Sequence, residues 1–247
     1  MAERVVGRHV ARVEAPDDWY LKGGLTAEVA AAALHGRRLE GARRIGKLLL
    51  LDTDGPTVGL RFGMTGRLVV DGVPGVDELR YASIRDVPAW DRFVVGFAEG
   101  GELRMRDPRR LGGVSLDPDE AALGVDAASV GPAQLRDVVA GGRAPLKARL
   151  MDQARLAGVG NLIADEVLYR ASLDPARPAG SLDPAEVRRL HRHLRATIDE
   201  LLERGGSHLG DLIPARGPGG TCPRDGTPLL RRTVGGRTTW SCPVHQR

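Results

Sequence analysis

The chain ends in a pattern that few local structures can accommodate. Cys222-Pro-Arg-Asp225 is followed by sixteen residues containing Gly235-Gly236-Arg237, and then by Cys242-Pro-Val-His245. These are the chain's two cysteines, and each stands three residues ahead of a second side chain able to bind a metal. Two such turns flanking a stretch of hairpin length bring four ligands to one ion, as in a structural zinc site. The predicted ligand set is Cys222, Asp225, Cys242 and His245 around a single Zn2+. With oxygen and nitrogen donors replacing two thiolates, this set should hold zinc less tightly than four cysteines. Read without a metal, the same residues are two buried thiols in a polar tail.

A chain of 247 residues can bury a substantial core and fits one large domain or two modest ones, the division into separate domains being the expected one. Hydrophobic residues make up 42% and charged residues 28%, the balance of a soluble protein, and no apolar run is long enough to span a membrane. Met1 to Arg12 is charged and interrupted, unlike a signal peptide, so a cytoplasmic monomer is expected. In a reducing compartment two cysteines favour metal or free thiols over a disulfide. The net charge of +4 accompanies a pI near 9.5, with arginine far outnumbering lysine. Guanidinium groups grip phosphates bidentately, which makes nucleic acid the leading partner, although a GC-rich genome also enriches arginine.

From Val5 to about Leu116, short apolar runs such as Leu48 to Leu51, Thr57 to Leu60 and Arg92 to Phe97 alternate with Gly, Asp and Pro turns. They read as strands, interrupted by one helix from Thr26 to Leu34 with Thr26 as N-cap and Gly36 as its stop. Beyond Asp117-Pro118 the pattern turns helical, over residues 131–139, 144–156, 162–171 and 184–204, with Asn161 and Asp183-Pro184 as helix starts. Arg216-Gly-Pro-Gly-Gly220 reads as a flexible linker. The expected domains are residues 1–117, 118–215 and 216–247.

Four further motifs occur in order: Gly46-Lys47 before a strand, Gly63-Met64-Thr65-Gly66-Arg67, Arg106-Asp107-Pro108-Arg109-Arg110-Leu111-Gly112, and Lys147 through Met151-Asp152-Gln153 to Gly158-Val159-Gly160-Asn161 with Asp165-Glu166. Together with the terminal hairpin they resemble the formamidopyrimidine-DNA glycosylase and endonuclease VIII family along nearly the whole chain. The resemblance implies an α+β multidomain fold, in which a β-sandwich with a flanking helix precedes a helix-two-turn-helix domain and a zinc-ribbon-like hairpin. It also implies base-excision repair of double-stranded DNA carrying oxidised bases or abasic sites, and hence a nucleoid-associated location.

The physics of the motifs agrees with that expectation. Small residues in Gly158 to Gly160 let backbone approach a phosphate, and Asn161, read as the cap of the next helix, presents a helix N-terminus that favours an anion. Arg237, at the hairpin tip beside Gly236, is placed to reach a strand, and the resemblance adds a part in the second elimination step. The resemblance assigns Met64, Arg109 and Leu111 to the gap left by an everted base, where a filler offsets part of the lost stacking. Leu111 stands where many relatives carry Phe and should stack less well. Arg110, Arg143 and Lys147 complete the expected DNA contacts. Lys47, at a strand start, is implied to touch DNA and assist proton transfer during strand cleavage.

The family's chemistry begins with an amino-terminal proline in a Pro-Glu-Leu-Pro-Glu segment, whose amine attacks the sugar C1′ to form a Schiff base. This chain opens Met1-Ala2-Glu3-Arg4 instead, and its next residues resemble the end of the family's first helix and the strand after it. The resemblance implies either a start codon placed too late or a relative that has lost its nucleophile. The resemblance implies a bifunctional DNA glycosylase and abasic-site lyase, with the late start as the expected explanation; the alternative, if the chain as written is the real protein, is DNA binding without glycosylase or lyase activity. Trp90 falls where many relatives carry a histidine, and the chain between Gly205 and Cys222 is shorter than in the 8-oxoguanine enzymes, so oxidised pyrimidine competes with oxidised purine as substrate. A zinc-ribbon nucleic-acid protein outside the family would leave the order of the motifs unexplained.

Overall fold

Apolar residues recurring at alternate positions, cut by turns, build the first half of the chain into two antiparallel sheets. The computed structural model describes residues 1–76, 83, 85–204, 206 and 208–247, in two compact units, Met1–Glu120 and Ala121–Arg247. The first unit contains β1 (Val10–Glu14), α1 (Ala27–Leu34), β2 (Leu39–Ile45), β3 (Leu48–Thr53), β4 (Val58–Arg61), β5 (Arg67–Val70), β6 (Val73–Pro74), β7 (Asp91–Phe97), β8 (Glu102–Arg106) and β9 (Gly113–Leu116). One sheet runs β1-β7-β8-β5-β6 and the other β2-β3-β4-β9. Leu51, Val58 and Leu60 from the second pack with Phe93, Val95, Leu103 and Met105 from the first in one buried cluster, which makes the unit a β-sandwich.

Helix α1 flanks this core through Ala30 and Leu34. As the sequence predicts, Thr26 Oγ1 accepts from the Val29 N–H at 3.3 Å, and Gly36, at φ +74°, ends the helix.

The second unit contains β10 (Val125–Asp126), α2 (Pro132–Val139), α3 (Leu146–Met151), β11 (Leu156–Ala157), α4 (Asn161–Arg170), α5 (Pro184–Glu203), β12 (Leu230–Val234) and β13 (Arg237–Ser241). Helix α5 buries Val187, Leu190, Leu194, Ile198 and Leu201 at three- and four-residue spacing. Asp183 accepts from the amides of Ala185 and Glu186, and Glu186 reaches back to the Asp183 N–H, a capping box at its start. Helix α3 is shorter than the expected 144–156. Asp152 folds its carboxylate back onto the Ala154 N–H at 3.1 Å, and Leu156–Ala157 then pairs in parallel with Val125–Asp126.

The terminal hairpin belongs to this second unit, where Trp240, Leu229 and both cysteines pack with Tyr169 and Leu212. Its two-residue turn, Gly235–Gly236, has φ of +57° and +72°, a conformation open to few residues besides glycine. The linker expected to be flexible is fastened at its first residue, because Arg216 donates from Nε to Asp165 Oδ2 at 2.9 Å. Gly205 and Ser207, which open the shortened segment, lie outside the described residues. No helix among the described residues is long and apolar enough to cross a membrane.

Candidate functional site

In the first unit two loops meet. The turn from β4 to β5 is closed by the Gly66 N–H on Phe62 O at 2.8 Å, and it lifts Met64 into solvent at 52% exposure. The loop from β8 to β9 carries Arg109, Arg110 and Leu111, all exposed, with Leu111 at 47%. Gly63 joins them closely, since a Cβ there would sit 2.6 Å from the Leu111 carbonyl carbon. Two apolar side chains and a cation thus emerge from adjacent loops of one rigid edge.

Arg110 differs from its neighbours. It adopts φ +57°, and its guanidinium donates to Asp17 at 2.6 Å, so much of its charge is answered inside the protein. Lys47 is exposed as the second residue of the tight β2–β3 turn, after Gly46 at φ +57°. Trp90 is partly buried, and its carbonyl accepts from the Asp107 N–H at 2.9 Å.

In the second unit the loop before α4 is braced by Gln153. Its side chain donates to Met151 O and Val159 O at 2.8 and 3.0 Å and accepts from the Gly158 N–H at 3.1 Å. The helix-capping role expected of Asn161 is not what the structure holds. Gly160 occupies the cap position and Asn161 is the first helical residue, its Oδ1 buried with no hydrogen-bond partner among the described residues. The α4 N-terminus still presents its first amides without a side-chain cap, a favourable place for an anion. Arg143 is exposed on the loop between α2 and α3.

Lys147 corrects the sequence reading most sharply. Its side chain is 0% exposed and forms an ion pair with Asp165 Oδ1 at 2.7 Å, so it offers no surface to a phosphate. It also donates to Thr238 O at 3.1 Å and to Thr239 Oγ1 at 2.8 Å. Burial pushes the amine below its ordinary pKa and the Asp165 carboxyl above its own, and their mutual attraction opposes both changes. Asp165 also receives Arg216, and the Trp240 N–H points to it at 3.4 Å. This buried cluster therefore anchors β13 just behind Arg237, which is exposed at the strand's start. Gly235 seats the turn on α3, where a Cβ would come 2.6 Å from Ala148 Cβ. Glu166, adjacent in sequence, is buried and accepts from the amides of Asp211 and Leu212, tying down the segment that leads to the hairpin.

The chain matches the family model described as formamidopyrimidine-DNA glycosylase N-terminal domain over residues 1–114. It matches the H2TH domain of the same enzymes over residues 123–211. The chain belongs to the formamidopyrimidine-DNA glycosylase family. A formamidopyrimidine-DNA glycosylase of Paracoccus denitrificans is 35% identical over 270 aligned positions, covering 98% of this chain and 93% of that protein. One from Geobacillus kaustophilus is 34% identical, covering 89% and 85%. Among solved structures, the complex of Lactococcus lactis Fpg with abasic-site-containing DNA superposes with a TM-score of 0.80 at 23% identity, covering 100% of this chain and 95% of that one. At that identity the likeness bears on the fold alone.

This member of the glycosylase family brings together, at the hairpin base, four side chains that could hold a metal ion. One ligand atom from each of Cys222, Asp225, Cys242 and His245 lies within 4.8 Å of all the others. Cys222 Sγ is 3.4 Å from His245 Nδ1, and Cys242 Sγ is 3.3 Å from Asp225 Oδ2. Bonds of about 2.0–2.3 Å to a tetrahedral zinc place ligand atoms about 3.3–3.8 Å apart, a range that these two separations meet. The Arg224 amide points at Cys222 Sγ and the Val244 amide at Cys242 Sγ, each at 3.4 Å, the kind of outer contact that orients a ligand sulfur. Asp225 is held well below the usual carboxylate range by the Thr227 amide, which keeps it ionised as a ligand must be.

Asp107, Gln153, Asp165 and Glu166 stood inside the quoted motifs without a role. The clue in the sequence was an acid or amide embedded among arginines and glycines, whose purpose only the folded backbone reveals.

Proposed function

We propose that this chain is a base-excision repair DNA glycosylase that everts and removes an oxidised base, with abasic-site lyase activity following by elimination. The observation that carries the reading is the meeting of the Met64 turn and the Leu111 loop in a chain of this family. Everting a base forfeits a few kcal/mol of stacking and pairing, and apolar side chains entering the vacated space recover part of it. Arg109 faces solvent beside them and suits the orphaned opposite base. The amides at the start of α4, with Asn161, and Arg237 on the hairpin suit backbone phosphates. Arg143 is a further phosphate contact, and Arg110 a weaker one because of Asp17.

In the chemistry proposed, an amine nitrogen bonds to C1′ as the bond to the base breaks. Lys47, on its exposed turn, assists proton transfer during the elimination that releases the 3′ phosphate, and Arg237 serves the second elimination. One structural Zn2+ on Cys222, Asp225, Cys242 and His245 positions Arg237. Formamidopyrimidine and abasic DNA, the ligands of Lactococcus lactis Fpg complexes, are the first substrates to try. A lesion-binding homologue without chemistry is the alternative reading.

Borohydride trapping on a duplex with one abasic site separates them. A covalent adduct with strand cleavage is the expected result for the enzyme. Tight lesion binding with no adduct selects the second reading, and failure to bind DNA contradicts both.

A further inference from the structure

The two loops that carry Met64 and Leu111 are fastened by one buried carboxylate, Asp107. It is 0% exposed and sits where β8 ends. Its Oδ1 accepts from the hydroxyl of Thr65, the residue after Met64, which is itself fully buried. The same oxygen accepts from the Arg109 N–H at 3.2 Å, and Oδ2 accepts from the Gly112 N–H at 2.8 Å. The donors therefore bracket Leu111 on one loop and adjoin Met64 on the other. The Asp107 backbone is held as well, its carbonyl accepting from Arg92 Nε at 2.9 Å. Tyr20 lies beneath the loop, close enough that a Cβ on Gly112 would meet its hydroxyl at 2.4 Å.

A buried carboxylate with three donors resists rearrangement, because moving either loop strands a charge and at least one donor away from water. The strands flanking the two loops are already paired, β4 with β9 and β5 with β8, and Gly63 packs on the Leu111 backbone; the carboxylate adds the side-chain fastening between the exposed tips. We infer that Asp107 and Thr65 act as positioning residues for base eversion, holding Met64 and Leu111 at a fixed separation so that both enter the duplex together. The inference rests on the reading of those two side chains as fillers of the vacated space. Preorganisation of this kind acts on the deformed complex and leaves undamaged duplex, held through its phosphates, nearly unaffected.

The test compares binding of a duplex containing a tetrahydrofuran abasic analogue with binding of the same duplex undamaged. Thr65→Val keeps the side-chain shape and removes the hydroxyl. It is expected to lower the preference for the lesion about tenfold, while affinity for undamaged DNA stays within about twofold. Thr65→Ser, which retains the hydroxyl, should restore the preference. Asp107→Asn should fall with Thr65→Val, giving a second variant if either folds poorly. On a Met64→Ala, Leu111→Ala background, Thr65→Val should add no further loss. A Thr65→Val protein that discriminates like the wild type overturns the inference, as does an equal loss for both duplexes. A wild type with no lesion preference removes instead the reading on which the inference rests.

Discussion

Replacing Asp165 with alanine is expected to destabilise the second unit by about 3–5 kcal/mol, the range for removing one partner of a buried ion pair. Lys147 and Asp165 are both 0% exposed and 2.7 Å apart, and Arg216 shares the carboxylate at 2.8–2.9 Å. Without Asp165 the Lys147 ammonium keeps Thr238 O and Thr239 Oγ1 but has no counter-charge. Asp165→Asn retains an acceptor and should fall between. The paired change Lys147→Met, Asp165→Leu removes both charges from a space that excludes water. It should recover only part of the loss, since well-packed apolar replacements of buried pairs are often neutral but Arg216, 10% exposed, is left without the carboxylate it shares. Urea unfolding followed at the second unit measures all three. An Asp165→Ala protein within about 1 kcal/mol of wild type would mean that water reaches this cluster and that it does not anchor the hairpin.

Removal of the metal is expected to have the second large effect. The hairpin's own apolar core is small, formed by Trp240 and Leu229 with the two cysteines against Tyr169 and Leu212. A structural zinc contributes folding energy outright, about 10–16 kcal/mol in isolated finger peptides, and less is expected from a set with two thiolates. Metal analysis should find one zinc per chain, and none in Cys242→Ala. Chelation or that substitution should release β12 and β13 from their fixed position and sharply weaken DNA binding, with zinc restoring the chelated protein only. Asp225→Cys should tighten zinc binding. A wild type that is purified without zinc, and that loses neither stability nor DNA binding on chelation, would show that the two cysteines are merely buried thiols.

What the sequence revealed follows from which interactions are local. Thr26 and Gly36 bound α1 through contacts within a few residues, and the leucine run of β3 needed only one neighbour on each side. The hairpin likewise announced itself, because its ligands repeat at fixed spacing. Lys147 was misread because a lysine among arginines and glycines looks the same whether it meets a phosphate or Asp165, and Asp165 lies beyond two intervening turns. Asn161 shifted by one position because Gly160 can take the cap backbone without a side chain. Helix α3 ended early because Leu156–Ala157 pairs with Val125–Asp126, a contact with no mark in local sequence. Asp107 was invisible as a fastener for the same reason. Two of the donors to its carboxylate are backbone amides a few residues away, but Thr65, which donates from its hydroxyl, is 42 residues upstream.

The central claim, that Met64 and Leu111 fill the space of an everted base, is tested most directly by competition between lesion and undamaged duplexes. Wild type should prefer the duplex carrying a single tetrahydrofuran site by tenfold or more, roughly the value of one buried apolar side chain. Both affinities should fall steeply with salt, as phosphate contacts require. The Met64→Ala, Leu111→Ala protein should bind the two duplexes alike while keeping the salt dependence. Equal binding of both duplexes by the wild type, or an unchanged preference after both substitutions, would contradict the account.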